Sequence, residues 1–199
     1  MNIGLNLLYF VVLPALIGGI AVAFPILWQF LGQYQRNRIL ILFDPTIDPQ
    51  GINERYHSKI NLQSLTGGGL TGQGLFNGNR TQGGFLFAQH TDYIFAAIGE
   101  ELGFVGAMVI LLLFALLIIR GFWIAMHAKD RFGALLVAGI MTQVALQVFF
   151  NIGVVTNFLP ATGISLPFFS YGGTALLVQM FEMGVVLSVS RQSDNQMLV

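Results

Sequence analysis

The chain has 199 residues, of which 55% are hydrophobic and only 9% charged, and a mean hydropathy of +0.73, which is too apolar for a soluble domain and reads as a membrane protein. Nine basic residues balance nine acidic ones, leaving no basic excess for nucleic acid and no polar tract for disorder. The absence of cysteine excludes disulfides, thiolate metal sites and thiol catalysis together, and three histidines are too few for a His-rich metal site.

The uncharged run from roughly Leu5 to Leu31 exceeds the ~20 residues that cross a hydrocarbon core and predicts a first transmembrane helix, kinked at Pro14 and Pro25. A cleaved signal peptide would need a basic start, whereas no Lys or Arg precedes Arg36.

Residues 33–102 then turn mixed, polar and glycine-rich, with apolar clusters at Ile39 to Phe43 and Phe85 to Phe87 that argue against disorder. Short interfacial or re-entrant helices are expected here. The run Gly67-Gly68-Gly69-Leu70-Thr71-Gly72-Gln73-Gly74 could form a backbone nest near a phosphate. No Gly-Lys-Ser/Thr follows it, and close packing at a helix break explains the same glycines more simply.

From His90-Thr91-Asp92-Tyr93-Ile94-Phe95 to Glu100-Glu101-Leu102-Gly103, three acids stand at the mouth of an apolar run. In a continuous helix Asp92, Ala96 and Glu100 would share one face. Glu100 and Glu101 are expected to favour a helix start or to face water. Asp92 lies between a histidine and an apolar Tyr-Ile-Phe run, where a solvated decoration is not needed, and is the candidate catalytic acid.

Three further spans follow at roughly 103–126, 134–155 and 169–190. Gln143, Gln147 and Asn151 form a polar stripe at four-residue spacing, read as helix–helix hydrogen bonding for the two glutamines. Glu182 is an intramembrane acid that must face protein or water. From Asn151 to Gly173 two prolines, four glycines and several hydroxyls stand among aromatics, the composition of a re-entrant loop, which is tolerated at depth only where it is buried or lines a cavity. Lys129, Arg131, Arg120 and Arg191 place the short connection and the tail in the cytoplasm, and the long loop outside. The expected fold is thus an all-α integral membrane protein: one membrane domain over 1–199 with four transmembrane helices (5–31, 103–126, 134–155, 169–190), plus short interfacial or re-entrant helices in an extracytoplasmic loop at about 33–102.

Taken together, these stretches resemble the C-terminal half of the SEDS family (shape, elongation, division and sporulation), the group of FtsW, RodA and SpoVE. Arg38 to Phe43-Asp44-Pro45 with Asp48-Pro49-x-Gly51 is similar to the segment after the family's seventh span, and the glycine run to its Gly-Ser-Gly-Gly-Leu-x-Gly-x-Gly. His90-Thr91-Asp92-x-Ile94-Phe95 with Glu100-Glu101-x-Gly103 resembles the family's His-Thr-Asp motif. Asn151-x-Gly153-Val154, Pro160-x-Thr162-Gly163-x-x-Leu166-Pro167 and Ser170-x-Gly172-Gly173 resemble its last signature. The likeness departs at Phe87-Ala88-Gln89-His90, where the family has Pro-Glu-x-His, at Thr66 before the glycines, and at Thr174 in place of a frequent serine.

The resemblance implies a peptidoglycan glycosyltransferase that polymerises lipid II, the lipid-linked disaccharide-pentapeptide, for division, elongation or sporulation. It implies Asp92 as the catalytic base, with His90 beside it. Arg38, Lys59 and Arg80 are the cationic candidates for binding the leaving diphosphate, a charge that a divalent cation or the glycine-run amides could share, and Pro160, Thr162 and Ser170 form a wall of the lipid groove. Implied partners are a class B penicillin-binding protein and the membrane, with no nucleic acid. The implied location is the bacterial cytoplasmic membrane, with both termini inside. The alternatives are a lipid II flippase, or a non-catalytic remnant acting as a scaffold. Because the likeness covers only the last four spans of the family, the chain is expected to be a fragment, a truncated reading frame or one piece of a split protein.

Overall fold

The computed structural model describes residues 28–40, 54–83 and 91–194, with isolated positions between 18 and 25, and divides into two units, Met1–Pro49 and Gln50–Val199. The described residues contain helices and no strands. The predicted first span, 5–31, lies mostly outside the described residues.

In the first unit a helical stretch ends at Phe30 and helix α1 (Gln33–Leu40) starts two residues beyond Leu31. The break is held by side chains. Gln35 Oε1 accepts the Gly32 N–H at 3.0 Å, the reciprocal half of a capping box, and Arg36 Nη2 donates to the Gln29 carbonyl at 2.7 Å, occupying an acceptor left at the preceding helix end.

The second unit contains α2 (Glu54–Gly67), α3 (Asn79–Gln82), α4 (Ile94–Met126), α5 (Arg131–Val155) and α6 (Gly173–Asp194). Three stretches, Ile94–Met126, Arg131–Val155 and Gly173–Gln192, are long and apolar enough to cross a membrane, and large apolar side chains such as Phe104, Leu112, Leu116, Phe181 and Leu187 are exposed along them. That is the surface of a membrane protein, whose lipid-facing side need not be polar. The helices and loops before α4 fall in the stretch expected to carry short helices.

The predicted span from Gly103 begins nine residues early as a helix, at Ile94, and is broken at Gly103, whose φ of 69° and ψ of −171° are not helical. The length from 104 to 126 is still roughly 35 Å at about 1.5 Å per residue, enough to span. Hydropathy finds only the apolar part, because Glu100 and Glu101 end the apolar run without ending the helix.

The break explains the glycine run. Gln73 and Gly74 N–H groups donate to the Glu100 and Glu101 carbonyls at 3.0 Å each, while Phe104 and Val105 N–H groups donate to the Gly69 and Leu70 carbonyls at 2.9 and 3.1 Å. Loop and helix thus exchange the hydrogen bonds that the break removes from α4, as buried backbone polar groups require. These contacts bring backbone onto backbone: a methyl group on Gly103 would collide with the Gly72 nitrogen, and one on Gly72 with the Glu101 carbonyl. Both residues also have positive φ, which an L side chain adopts at a cost. Here the run is close packing at a helix break, and the Gln73 and Gly74 amides are directed at carbonyls. We therefore expect Gly72→Ala to destabilise the folded protein by at least ~2 kcal/mol, combining a clash with a strained φ; thermal unfolding in detergent measures it, and an unchanged midpoint would contradict this packing.

Helix α5 begins at Arg131, three residues before the predicted span, because Asp130 Oδ2 accepts the Gly133 N–H at 2.8 Å and caps it. It ends in a Schellman arrangement: Phe158 N–H reaches the Gly153 carbonyl at 2.8 Å and Asn157 N–H the Val154 carbonyl at 3.1 Å, with Asn157 at φ 59°. The glutamine stripe is half accounted for: Gln143 Nε2 donates to Glu182 Oε1 at 3.1 Å, joining α5 to α6.

Helix α6 begins at Gly173 and not at the predicted Phe169, since residues 166–170 are taken up in a turn. Its closing bonds run from Ser170 N–H to the Leu166 carbonyl at 3.1 Å and from Leu166 N–H to Ser170 Oγ at 2.7 Å. The loop between α5 and α6 folds inward: Leu166 is fully buried, in one apolar cluster with Phe95, Ile110, Phe114, Val148 and Val155. Phe169 packs on Phe114 at 5.9 Å between ring centroids, roughly 16 Å along the α4 axis from Gly103. The loop therefore descends beside α4, as a re-entrant segment does.

A candidate active site at the Asp92 turn

The start of α4, the end of α5 and the start of α6 meet at one end of the bundle. The opposite end carries Arg120, Lys129, Arg131 and Arg191, with the Arg120 guanidinium 4.2 Å over the Trp123 ring and Trp123 stacked on His127 at 4.3 Å.

Asp92 lies in the turn 91–93 that leads into α4. Because the helix starts only at Ile94, the expected shared face of Asp92, Ala96 and Glu100 does not form: the four-residue spacing holds only within a helix. The carbonyls of Thr91 and Asp92 precede the helix and are taken by side chains from two other elements. Ser170 Oγ donates to the Thr91 carbonyl at 2.6 Å, and Asn151 Nδ2 donates to the Asp92 carbonyl at 2.8 Å. Asn151 Nδ2 also donates to the Ile164 carbonyl at 2.8 Å, and the Phe168 N–H donates to Gln179 Oε1 at 2.8 Å, so the loop is tied to both α5 and α6. The Asp92 side chain is half-buried and its Oδ2 would lie 3.7 Å from a methyl group placed on Gly163. The carboxyl group of Asp92 thus stands against the wall formed by the Pro160–Ser170 loop.

Glu100 contradicts the expectation of a solvated or self-capping acid. It is fully buried. Its Oε1 accepts the Arg80 N–H at 2.8 Å, and its Oε2 accepts the Thr81 N–H at 3.0 Å and the Thr81 hydroxyl at 2.6 Å. The acid does meet a helix start, but that of α3 and not its own. Nothing in the spacing of residues 80, 81 and 100 announces this, because a contact between chain-distant segments leaves no periodicity.

The other predicted residues fall as follows. Ser170 is joined to the Asp92 turn, and its hydroxyl is engaged by Thr91 and Leu166. Pro160 is half-buried and Thr162 exposed in the same loop. Arg80 points elsewhere: its Nη1 donates to the Gln63 carbonyl at 3.3 Å, at the end of α2 where a cation suits the helix dipole. Lys59 is exposed on α2. Arg38 belongs to the other unit and its side chain lies outside the described residues, as does His90. Asn151 and Gly163, which flank Asp92, were legible only as members of a motif. Among the described residues no group of three or more His, Asp or Glu side chains converges.

The sequence profile of the FtsW/RodA/SpoVE family, described as cell cycle protein, matches residues 2–195. Peptidoglycan glycosyltransferase MrdB of Escherichia coli K12 is 45% identical over 171 residues, 85% of this chain and 46% of MrdB. Stage V sporulation protein E of Bacillus subtilis is 44% identical over 160 residues, 80% of this chain and 43% of that protein. A solved chain from work on structural coordination of polymerization and crosslinking by a peptidoglycan synthase complex superposes with a TM-score of 0.68 at 32% identity, covering 89% of this chain and 48% of that one. The chain therefore spans just under half the length of these relatives.

Proposed function

The chain belongs to the FtsW/RodA/SpoVE family, and from that premise we propose that it carries the catalytic end of a peptidoglycan glycosyltransferase that polymerises lipid II. The observation that carries the reading is the Asp92 turn: a carboxyl group at the mouth of a membrane helix, beside an inward-folded loop, in a chain 45% identical to a protein named for this activity.

In the reaction Asp92, as a carboxylate, accepts the proton of the acceptor sugar hydroxyl while that oxygen bonds to the anomeric carbon of the donor. The anomeric C–O bond to the lipid diphosphate breaks, and the diphosphate leaves with the electron pair. Attack from the face opposite the leaving group inverts the anomeric centre. The Pro160–Ser170 loop forms one wall of the lipid groove, with Pro160, Thr162 and Gly163 facing substrate and Ser170 holding the wall to the Asp92 turn. His90 supports Asp92. Lys59 is the candidate for the diphosphate charge; Arg80 joins it only by leaving the α2 carbonyl.

The basic end of the bundle faces the cytoplasm by the positive-inside rule, which sets Asp92 at the outer surface of the bacterial cytoplasmic membrane, both termini inside, and a class B penicillin-binding protein is the partner that would cross-link the strands.

The test is direct. The chain reconstituted in bilayers with purified lipid II is expected to yield glycan strands on a gel, more of them when a class B penicillin-binding protein is added. No strands in either case, with lipid II translocated across vesicles, would replace the proposal with a flippase; neither strands nor translocation would leave a scaffold.

A further inference from the structure

We propose that Asn151 is a positioning residue, whose side-chain amide sets the Asp92 carboxyl against the Gly163 wall; this rests on the reading of Asp92 as the base. Asn151 is 1% exposed on α5, one turn before an end made rigid by its Schellman bonds. Its nitrogen donates to two carbonyls at 2.8 Å, Asp92 on one side and Ile164 on the other, and a primary amide has two N–H bonds to give. Its Oδ1 is buried with no hydrogen-bond partner. The reverse orientation of the amide would set oxygen against both carbonyls, so the acceptors themselves decide which way it points. An unpartnered buried acceptor is costly, and here the cost accompanies a side chain that ties two non-helical segments to one helix.

Those segments are the ones that need it. The Asp92 carbonyl lies before the first turn of α4, whose early N–H groups, Ala96 and Ala97, go to Tyr93, so the α4 ladder does not hold the Asp92 backbone. Ser170 holds the adjacent carbonyl, that of Thr91. Two consecutive carbonyls of the catalytic turn are thus held from α5 and from the loop. Asn is the residue that fits: Asp lacks the donors, Leu has the bulk without them, and Gln moves them by one methylene.

The test uses the full chain in bilayers with lipid II, and reads kcat and KM together with amide hydrogen exchange at residues 91–93 and 164–166. Asn151→Leu and Asn151→Asp are expected to lower kcat about 10- to 100-fold, as a base displaced by about an ångström would, with KM changed less than about threefold, and to speed exchange at both segments. Ser170→Ala, which removes the bond to the Thr91 carbonyl and the acceptor of the Leu166 N–H, is expected to lower kcat several-fold, which keeps the proposal open to refutation if the Asn151 variants do not fold. Gln143→Leu, which removes one exposed side-chain hydrogen bond on the same helix away from Asp92, is expected to leave kcat within about twofold. The proposal is overturned if Asn151→Leu keeps its kcat, if Gln143→Leu loses as much, or if exchange at 91–93 and 164–166 is unaltered. Asp92→Asn separates the two readings: an active Asp92→Asn protein removes the base, whereas an inactive one beside an active Asn151→Leu protein removes the positioning role alone.

Discussion

Asp92→Asn is expected to lower lipid II polymerisation by about 10² to 10⁴-fold, the contribution of a positioned general base, while leaving the thermal midpoint of the protein nearly unchanged. The two halves of this prediction come from different atoms of the same residue. The backbone carbonyl of Asp92 carries the structural bond, to Asn151 at 2.8 Å, and survives the substitution. The carboxyl group, half-buried and close to Gly163, is the group proposed to act as the base. An amide of the same shape cannot take the hydroxyl proton, so turnover is lost while packing is kept. Strand synthesis at the wild-type rate would remove Asp92 as base. A large drop in melting temperature would show that its side chain is structural.

Glu100→Leu is expected to behave in the opposite way, as a folding defect that reaches activity only through structure. It leaves the Arg80 and Thr81 N–H groups and the Thr81 hydroxyl without the carboxyl oxygens that accept them. At about 1–3 kcal/mol per unsatisfied buried group, the loss is at least ~3 kcal/mol, a large part of what a domain has in hand. The consequence is local first: α3 and the glycine loop that caps the α4 break should lose hydrogen-exchange protection at Gln73, Gly74, Arg80 and Thr81, while the lower halves of α4 and α5 keep theirs. Glu100→Gln, which keeps the shape but puts an NH2 where one oxygen accepts, should fall between. Full protection at those four amides in Glu100→Leu would mean that the carboxyl group does not organise the loop.

The helices were legible because burial in a bilayer writes itself as runs of one composition. Residues 134–155 are free of charge and correspond to α5 to within three residues at its start, where Asp130 caps, and to the residue at its end, Val155, beyond which Asn157 adopts the left-handed turn. The Asp92 motif and the loop from Pro160 to Ser170 stand out in the sequence as the candidate site. What reached further than periodicity was misplaced. The shared face of Asp92 and Glu100 fails because the helix starts two residues after Asp92, and the burial of Glu100 has no signal in the sequence because its partners lie about twenty residues away, in the short helix α3. The glycine run is legible as close packing, since small residues at a helix break have few other uses, whereas its mate Gly103 reads in the sequence as the beginning of a span.

The amino-acid sequence by itself determined that this is a helical membrane protein, which family it belongs to, and which acid stands in the stretch that resembles the family's His-Thr-Asp motif. Apolar runs and ordered motifs are properties of the chain, present before any contact forms. Only the tertiary structure decided that Glu100 is an internal tie, that the glycine amides are spent on the α4 break, that Arg80 covers the end of α2, and that Asn151 and Ser170 hold the turn bearing Asp92. Each of these joins segments distant in the chain through one or two directional hydrogen bonds. Such a bond is short-ranged and selects geometry over composition, so it has no trace in the sequence until the fold brings its donor and acceptor together.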